Sequence, residues 1–172
     1  MSKIENNYNS IKLILLYSIL IFFGRLVPHI PNFTPIFAVI IFSSYFKINL
    51  NNKIIFVLIP LILSDLFLGF YKINFWVYST YILLILINDK FLNKNLKYVI
   101  LKALSYNFIF YIITNFAVWF GSSFYTKDLN GLLECYILAI PFFGNALIST
   151  LIFLFIFEKL DKFSIYKNLK KI

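Results

Sequence analysis

The chain has 172 residues, of which 61% are hydrophobic and 21% aromatic, and its mean hydropathy is +0.85. A water-soluble domain of this length cannot bury so much apolar surface, so the composition excludes an ordinary soluble fold and predicts lipid as the solvent. Apolar stretches recur along the whole length and leave no room for a separate soluble domain. We therefore expect one polytopic membrane domain over residues 1–172, with cytoplasmic tails at 1–10 and 160–172.

The net charge of +9 raises the question of nucleic acid as a partner. The lysines lie in short loops and in the C-terminal tail, whereas a nucleic-acid binder carries them on one basic face or in a known motif. We therefore expect no nucleic acid and take the lipid bilayer as the partner. The single cysteine, Cys135, has no second cysteine in the chain, so no intrachain disulfide can form.

Hydropathy predicts an all-α membrane protein of about six transmembrane helices. The first apolar run is followed by Arg25 and Pro28, where a secretory signal would carry a small-residue cleavage site, so it is expected to be a retained helix. Pro141 and Gly144 predict a break before the last helix. In chain order the apolar stretches are 11–27, 34–46, 54–70, 75–87, 98–120, the short segment 132–140, and 146–157.

The distribution of basic residues predicts the orientation. Of 16 Lys and Arg residues, only Arg25, Lys72 and Lys127 fall on one side of the predicted helices, and the other 13 fall on the opposite side. Basic loops mark the cytoplasmic side, so both termini are expected inside and the three chemically rich loops outside. These loops are residues 25–35, 70–76 and 121–136.

Asp65 lies within the third apolar stretch, where an ionised carboxylate costs roughly 2.5 to 3.5 kcal/mol at the bilayer centre. At about 1.5 Å per residue, it lies roughly 7 to 8 Å below the outer end of its helix, within reach of Arg25. Two interpretations stay open: a structural ion pair between Arg25 and Asp65, or direct participation of Asp65 in binding a ligand or an ion.

The outer segment RLVPHIPNFTP, residues 25–35, holds the only histidine and three of the five prolines. Prolines fix the backbone and remove donors, so His29 can be held over the mouth of the bundle, where it either orders the loop or contacts a ligand. Asn32, together with Thr34, either caps the second helix or leaves its open amino end to a bound group.

Further candidates follow in the second half of the chain. Asn115 and Trp119 are four residues apart on one helix face and suit a flat organic ligand, although an interfacial aromatic belt and a helix-to-helix hydrogen bond explain them as well. Glu134 precedes the expected break and Asn145 follows it, where each can line a cavity or join two helices. The predicted ligand-binding set is Arg25, His29, Asn32, Asp65, Asn115, Trp119, Glu134 and Asn145.

The sequence offers no metal or cofactor motif. The spacing of His29, Asp65, Glu134 and Cys135 matches no zinc pattern, and no glycine-rich phosphate loop is present, so the chain cannot hydrolyse ATP by that route. We expect no metal, no cofactor and no catalytic residue.

The motifs RLVPHIPNFTP, LSDLFLGF, TNFAVWF and CYILAIPFFGN together resemble a family of small bacterial inner-membrane proteins of unknown function, described as candidate transport proteins. In size and helix number that family resembles the substrate-binding S components of energy-coupling factor (ECF) transporters. The resemblance implies an S-component-like bundle that binds a vitamin-like micronutrient at its outer side. It also implies an ECF-type coupling subunit and its ATPases as partners.

One departure from the S components concerns the first helix, which contains no alanine, whereas S components dock through alanines spaced four apart there. Either docking uses another surface or the protein works alone. Two other function classes stay open. One is a noncatalytic membrane subunit or scaffold, and the other is a membrane-embedded enzyme that uses Asp65 and Glu134 as acid and base, or Cys135 as nucleophile with His29.

Overall fold

The computed structural model describes residues 3–45, 48–90 and 95–169, and the side chains of residues 12–45, 48–90 and 95–160. Within these ranges the chain forms six α-helices and no strand, which confirms the all-helical prediction. The helices are α1 (Lys3–Leu26), α2 (Ile36–Ser43), α3 (Leu50–Leu68), α4 (Asn74–Asn88), α5 (Leu96–Gly121) and α6 (Leu129–Leu169). The expected tails at 1–10 and 160–172 are helical over most of their described backbone.

The short helix α2 is the centre of the bundle. All eight of its residues are buried, and it packs against each of the other five helices. Around it the neighbours run in the order α1, α3, α4, α5 and α6. The rings of Tyr17 and Phe157, 4.2 Å apart, close the circle between α1 and α6.

Only some of the helices can cross a bilayer by themselves. Among the described residues, three helical stretches are long and apolar enough: Leu50–Leu68, Leu96–Gly121 and Leu129–Leu160. The expectation of six crossings is corrected by this finding. α4, with 15 residues, is a shorter apolar helix. α2, predicted as a span over 34–46, has 8 residues and is about 12 Å long against a hydrocarbon core of about 30 Å.

The expected break at Pro141 and Gly144 is also wrong. α6 runs without interruption from Leu129 to Leu169, with Pro141 inside it. An interior proline removes one backbone hydrogen bond, which the long helical runs on both sides tolerate. Pro141 is exposed, and a Cβ at Gly144 would meet nothing within 4 Å, so no neighbouring element wedges into the helix at this point.

A second interior proline, Pro60 in α3, is matched by a hydroxyl from another helix. Proline has no N–H, so the carbonyl of Phe56, four residues earlier, loses its helical donor. The Ser18 hydroxyl of α1 lies 2.8 Å from this oxygen and 2.9 Å from the Ile14 carbonyl oxygen, so it can donate to either. The α1–α3 contact therefore includes a replacement for the hydrogen bond that Pro60 removes.

Candidate functional site

Four polar side chains from α1, α3 and α4 meet at one end of the bundle, and we call them the Arg25 cluster: Arg25, Asp65, Asn74 and Tyr78. Arg25 Nη2 forms an ion pair with Asp65 Oδ1, which confirms that the predicted partner is within reach. Asp65 Oδ2 accepts hydrogen bonds from the Tyr78 hydroxyl and from Asn74 Nδ2, the latter at 3.2 Å. Both carboxylate oxygens are therefore occupied by protein donors.

This arrangement bears on the two interpretations of Asp65. The Asp65 side chain is 4% exposed, whereas that of Arg25 is 19% exposed. A buried carboxylate with three donors from two other helices is stabilised in place, as a buried charge requires. The geometry favours the structural ion pair, and direct ligand binding by Arg25 or Asp65 stays a prediction.

The segment between α1 and α2, residues 27–35, forms a strap that is fastened to α6. Asn145 Nδ2 donates to the Pro31 carbonyl at 3.1 Å, and the Ser149 hydroxyl donates to the Thr34 carbonyl at 2.7 Å. The strap is also tied to α1, because His29 Nε2 lies 2.5 Å from the Gly24 carbonyl oxygen. Asn145 thus joins α6 to the strap and neither lines the cavity nor bonds a second helix through this contact, whereas the contact of His29 fits loop ordering.

Capping of α2 by Asn32 or Thr34 is a prediction that the structure corrects. The residue before α2 is Pro35, and no side chain caps the helix. Asn32 has a φ of 62°, a left-handed conformation that asparagine tolerates better than most residues. Asn32 instead lines a cavity.

That cavity, which we call the α5 cavity, lies between α4, α5 and α6 beside the strap. Its volume is about 250 Å³, and the described lining includes no charged side chain. Apolar and aromatic groups make up most of the wall, among them Val77, Phe110, Phe142 and Phe143. Asn32 is exposed as well as lining, so the cavity reaches the molecular surface next to the strap.

The polar part of the lining comes largely from one face of α5, where Asn107, Tyr111, Thr114 and Asn115 are spaced at helical intervals. Each of these side chains donates a hydrogen bond inside the protein. The Tyr111 hydroxyl donates to the Tyr136 carbonyl at 2.6 Å, the Thr114 hydroxyl to the Phe110 carbonyl at 2.7 Å, and Asn115 Nδ2 to the Tyr111 carbonyl at 2.8 Å. Their orientation is therefore fixed before any ligand arrives.

Asn107 is a polar lining residue that the sequence reasoning missed. It is 1% exposed, and its Nδ2 donates to the Ala103 carbonyl at 2.8 Å and to Thr150 Oγ1 at 3.1 Å. Its Oδ1 is buried without a hydrogen-bond partner among the described residues. The signal was present in the sequence, since Asn107 and Asn115 are eight residues apart in one predicted helix and so lie on the same side of it.

Six members of the predicted set lie outside the cavity lining: Arg25, His29, Asp65, Asn145, Trp119 and Glu134. The Trp119 ring nitrogen donates to the Thr126 carbonyl at 2.8 Å, and Lys127 Nζ lies 5.7 Å from the ring centre, so Trp119 fixes the loop between α5 and α6. Glu134 is exposed on α6. Of the predicted residues, the structure brings Asn32 and Asn115 together at the cavity.

The other end of the bundle carries a second polar cluster, which is closed on itself. Lys53 Nζ lies 2.7 Å from both carboxylate oxygens of Asp89. The side chain of the fully buried Asn88 donates through Nδ2 to the Ile40 carbonyl at 2.5 Å, and the backbone carbonyl of Asn88 accepts from Lys102 Nζ at 2.8 Å. These contacts join α2, α3 and α5 to the carboxyl end of α4.

Neither end of the bundle offers a metal site, because no group of three or more His, Cys, Asp or Glu side chains comes together among the described residues.

The chain matches, over residues 5–168, DUF6580, a family of unknown function. No curated protein and no solved structure matches it. The match confirms a family of unknown function, while transport and the likeness to S components stay predictions.

Proposed function

The chain belongs to DUF6580, a family of unknown function, and we propose a function for it. The protein binds a small uncharged solute in the α5 cavity and moves that solute inward across the membrane. The observation that carries this proposal is the cavity itself, a concave and mostly aromatic space with a few fixed polar groups. Such a composition is typical of small-molecule sites. At about 250 Å³ the cavity lies just below the usual range of ligand pockets, so the solute is small.

The setting of the cavity supports a membrane role. Three helices are long and apolar enough to cross a bilayer, and two of them, α5 and α6, supply most of the cavity wall. We place the protein in the bacterial inner membrane as a multi-pass protein, with the strap outside and both termini inside, because the basic residues are distributed that way. The solute enters beside the strap, and movement of the bundle releases it on the other side.

The energy source is a separate part of the proposal. An ECF-type coupling subunit with its ATPases is one possible partner, and independent operation is the alternative, since α1 carries no alanine for the docking contact that S components use. Purification from a native membrane would distinguish these alternatives through the presence or absence of bound ATPase subunits.

The test of solute binding is the thermal stability of the purified protein against a panel of uncharged ring compounds. A ligand at 100 times its dissociation constant stabilises the folded state by about 2.7 kcal/mol. Ala139→Phe should abolish the shift, because Ala139 is 5% exposed and lines the cavity, so the added ring fills it. Ile140→Phe is the matched control, since Ile140 is 56% exposed on the outer face of the same helix.

The panel also separates the other function classes. A noncatalytic subunit or scaffold predicts no shift from any compound, with Ala139→Phe affecting only stability or assembly. A membrane enzyme predicts turnover that is lost in Asp65→Asn or Cys135→Ser while affinity is kept. A shift that survives in Ala139→Phe would contradict the α5 cavity as the binding site.

A further inference from the structure

The α5 cavity offers hydrogen-bond acceptors to a ligand and few donors. The hydroxyl protons of Tyr111 and Thr114, and one amide proton of Asn115, are already committed to backbone carbonyls. A hydroxyl that donates its one proton retains lone pairs and can only accept further bonds. The polar face of α5 therefore suits a ligand that donates.

Asn107 is the strongest of these acceptors. Its Oδ1 is buried without a partner among the described residues, and a buried polar atom left unpaired is unfavourable. The same side chain lines the cavity. A ligand N–H that reached this oxygen would remove the penalty, so the atom is placed to discriminate between ligands that carry a donor and those that do not.

The orientation of the Asn107 amide is fixed by its other contacts. Ala103 presents a carbonyl oxygen, which can only accept, so the NH₂ group must face it. The Thr150 hydroxyl donates its proton to the Ala146 carbonyl at 2.7 Å and therefore accepts from the same NH₂ group. A flip of the amide would bring its oxygen against two oxygen acceptors, so the carbonyl oxygen is the group left without a partner in the described protein.

The rest of the wall describes the shape and charge of the ligand. Phe110, Tyr111, Phe142 and Phe143 line the cavity, and aromatic side chains of this kind can stack on or pack edge-to-face against a planar ring. No charged side chain of the described chain lines it, so an ionised ligand would lose its hydration without a counter-charge.

We propose that the α5 cavity selects uncharged planar heterocycles with a ring N–H, and that Asn107 Oδ1 is the acceptor that selects them. This inference rests on the proposed solute-binding function and names its ligand class. Asn107 is then a specificity-determining residue outside the set predicted from the sequence.

The test compares two probes, uracil and 1,3-dimethyluracil, which are uncharged planar rings that differ in N–H against N–CH₃. Dissociation constants are measured by titration calorimetry on the full chain in detergent, for the native protein, Asn107→Leu and Thr150→Val. Leucine has nearly the shape of asparagine without its carbonyl. Thr150→Val removes one of the two acceptors of Asn107 Nδ2 and leaves Oδ1 in place, so it controls for disturbed packing.

We expect the native protein to prefer uracil by about tenfold, the preference of one well-placed hydrogen bond. Thr150→Val should retain that preference, and Asn107→Leu should reduce it to about one. Because each variant is compared with itself on two probes, a general loss of affinity or stability cancels from the ratio.

Four results would overturn the inference, and they differ in whether the solute-binding proposal survives. Equal affinity for both probes in the native protein, or an unchanged preference in Asn107→Leu, contradicts selection by Asn107. Selection by Asn107 is also contradicted if panel compounds without a ring N–H stabilise the native protein and uracil does not. If Ala139→Phe abolishes that stabilisation, the solute-binding proposal survives. The absence of a shift from every compound would overturn the solute-binding proposal as well.

Discussion

The Arg25 cluster joins three helices through a single carboxylate. Asp65 of α3 accepts from Arg25 of α1 and from Asn74 and Tyr78 of α4. Removing one member of a buried ion pair leaves the other charge without compensation, and this costs more than the pair contributes when both are present. The cluster therefore acts as a unit, and single substitutions should be more harmful than matched double ones.

We predict that Asp65→Asn lowers the free energy of unfolding by about 3 kcal/mol, because it leaves the Arg25 guanidinium with a neutral partner. The double variant Arg25→Met with Asp65→Leu should lose less than Asp65→Asn alone. Denaturant titration of the purified protein measures both, with Lys72→Met as the control for loss of an exposed positive charge on the same side of the bundle. A double variant as unstable as the sum of its two single variants would contradict the pairing.

At this scale the sequence predicted contacts better than it predicted roles. The Arg25–Asp65 pair follows from one rule, that a charge in an apolar helix needs a partner at matching depth. The sequence did not reveal Asn107 as a candidate, because an asparagine within an apolar helix commonly serves a hydrogen bond to a neighbouring helix. Only the contacts in the structure show that its Nδ2 has partners and its Oδ1 has none among the described residues. Trp119 is four residues from Asn115 but does not line the cavity, and its ring N–H donates to the loop carbonyl of Thr126.

Helix α3 depends on α1 for one of its backbone hydrogen bonds. We predict that Ser18→Ala destabilises the protein by about 1 kcal/mol, since it leaves the Phe56 carbonyl without a donor. The cost should largely vanish in a Pro60→Ala background, because alanine restores the backbone N–H that Phe56 lacks. A double-mutant cycle in unfolding free energy measures the coupling, and an equal cost of Ser18→Ala in both backgrounds would contradict it.

The start of α6 is pinned by an aspartate whose charge matters. Asp128 Oδ1 accepts from the Gly131 backbone N–H at 2.8 Å and from the Thr126 hydroxyl at 2.7 Å. These hydrogen bonds, the Gly131 bond first, lower the pKa of Asp128 from its ordinary value. Glycine is required at 131, because a Cβ there would lie 2.2 Å from the Thr126 carbonyl oxygen.

The sign of the resulting pH dependence follows from the lowered pKa. A carboxylate that is stabilised in the folded state contributes stability that is fully present above its unfolded pKa, about 3.9, and is lost as the pH falls through the lower folded pKa. We predict that between pH 6 and pH 2 the native protein loses more thermal stability than Asp128→Asn, which can still cap the helix and does not titrate. Parallel melting curves against pH would contradict this.

At the scale of helices, the number of elements followed from the sequence and their lengths did not. By composition, the apolar run 34–46 is predicted to span the membrane, yet α2 ends at Ser43. There the Ser43 hydroxyl donates to the Ile40 carbonyl and the Ser44 hydroxyl to the Ile41 carbonyl. Hydropathy reports that a segment avoids water, and a helix buried in protein gives the same signal as one buried in lipid. The supposed break in α6 failed for a similar reason, because proline and glycine permit an interruption without requiring one.

The whole bundle has two chemically distinct ends, and this gives a prediction for its orientation. In a Cys135→Ala background, Phe124→Cys should react with a membrane-impermeant maleimide added to intact cells, since Phe124 is 87% exposed in the loop between α5 and α6. Asn51→Cys, at the opposite end, should react only after permeabilisation. Reaction of both cysteines, or of neither, with the intact cells would contradict the predicted topology.

The central position of α2 constrains how the protein is made. α2 is the second helix to leave the ribosome, yet two of the walls that bury it, α5 and α6, are synthesised last. With about 12 Å of length it cannot be released into the bilayer as an independent span. During synthesis α2 is therefore shielded from lipid by α1, by α3 or by the insertion machinery. The bundle closes around α2 only after α6 has been inserted.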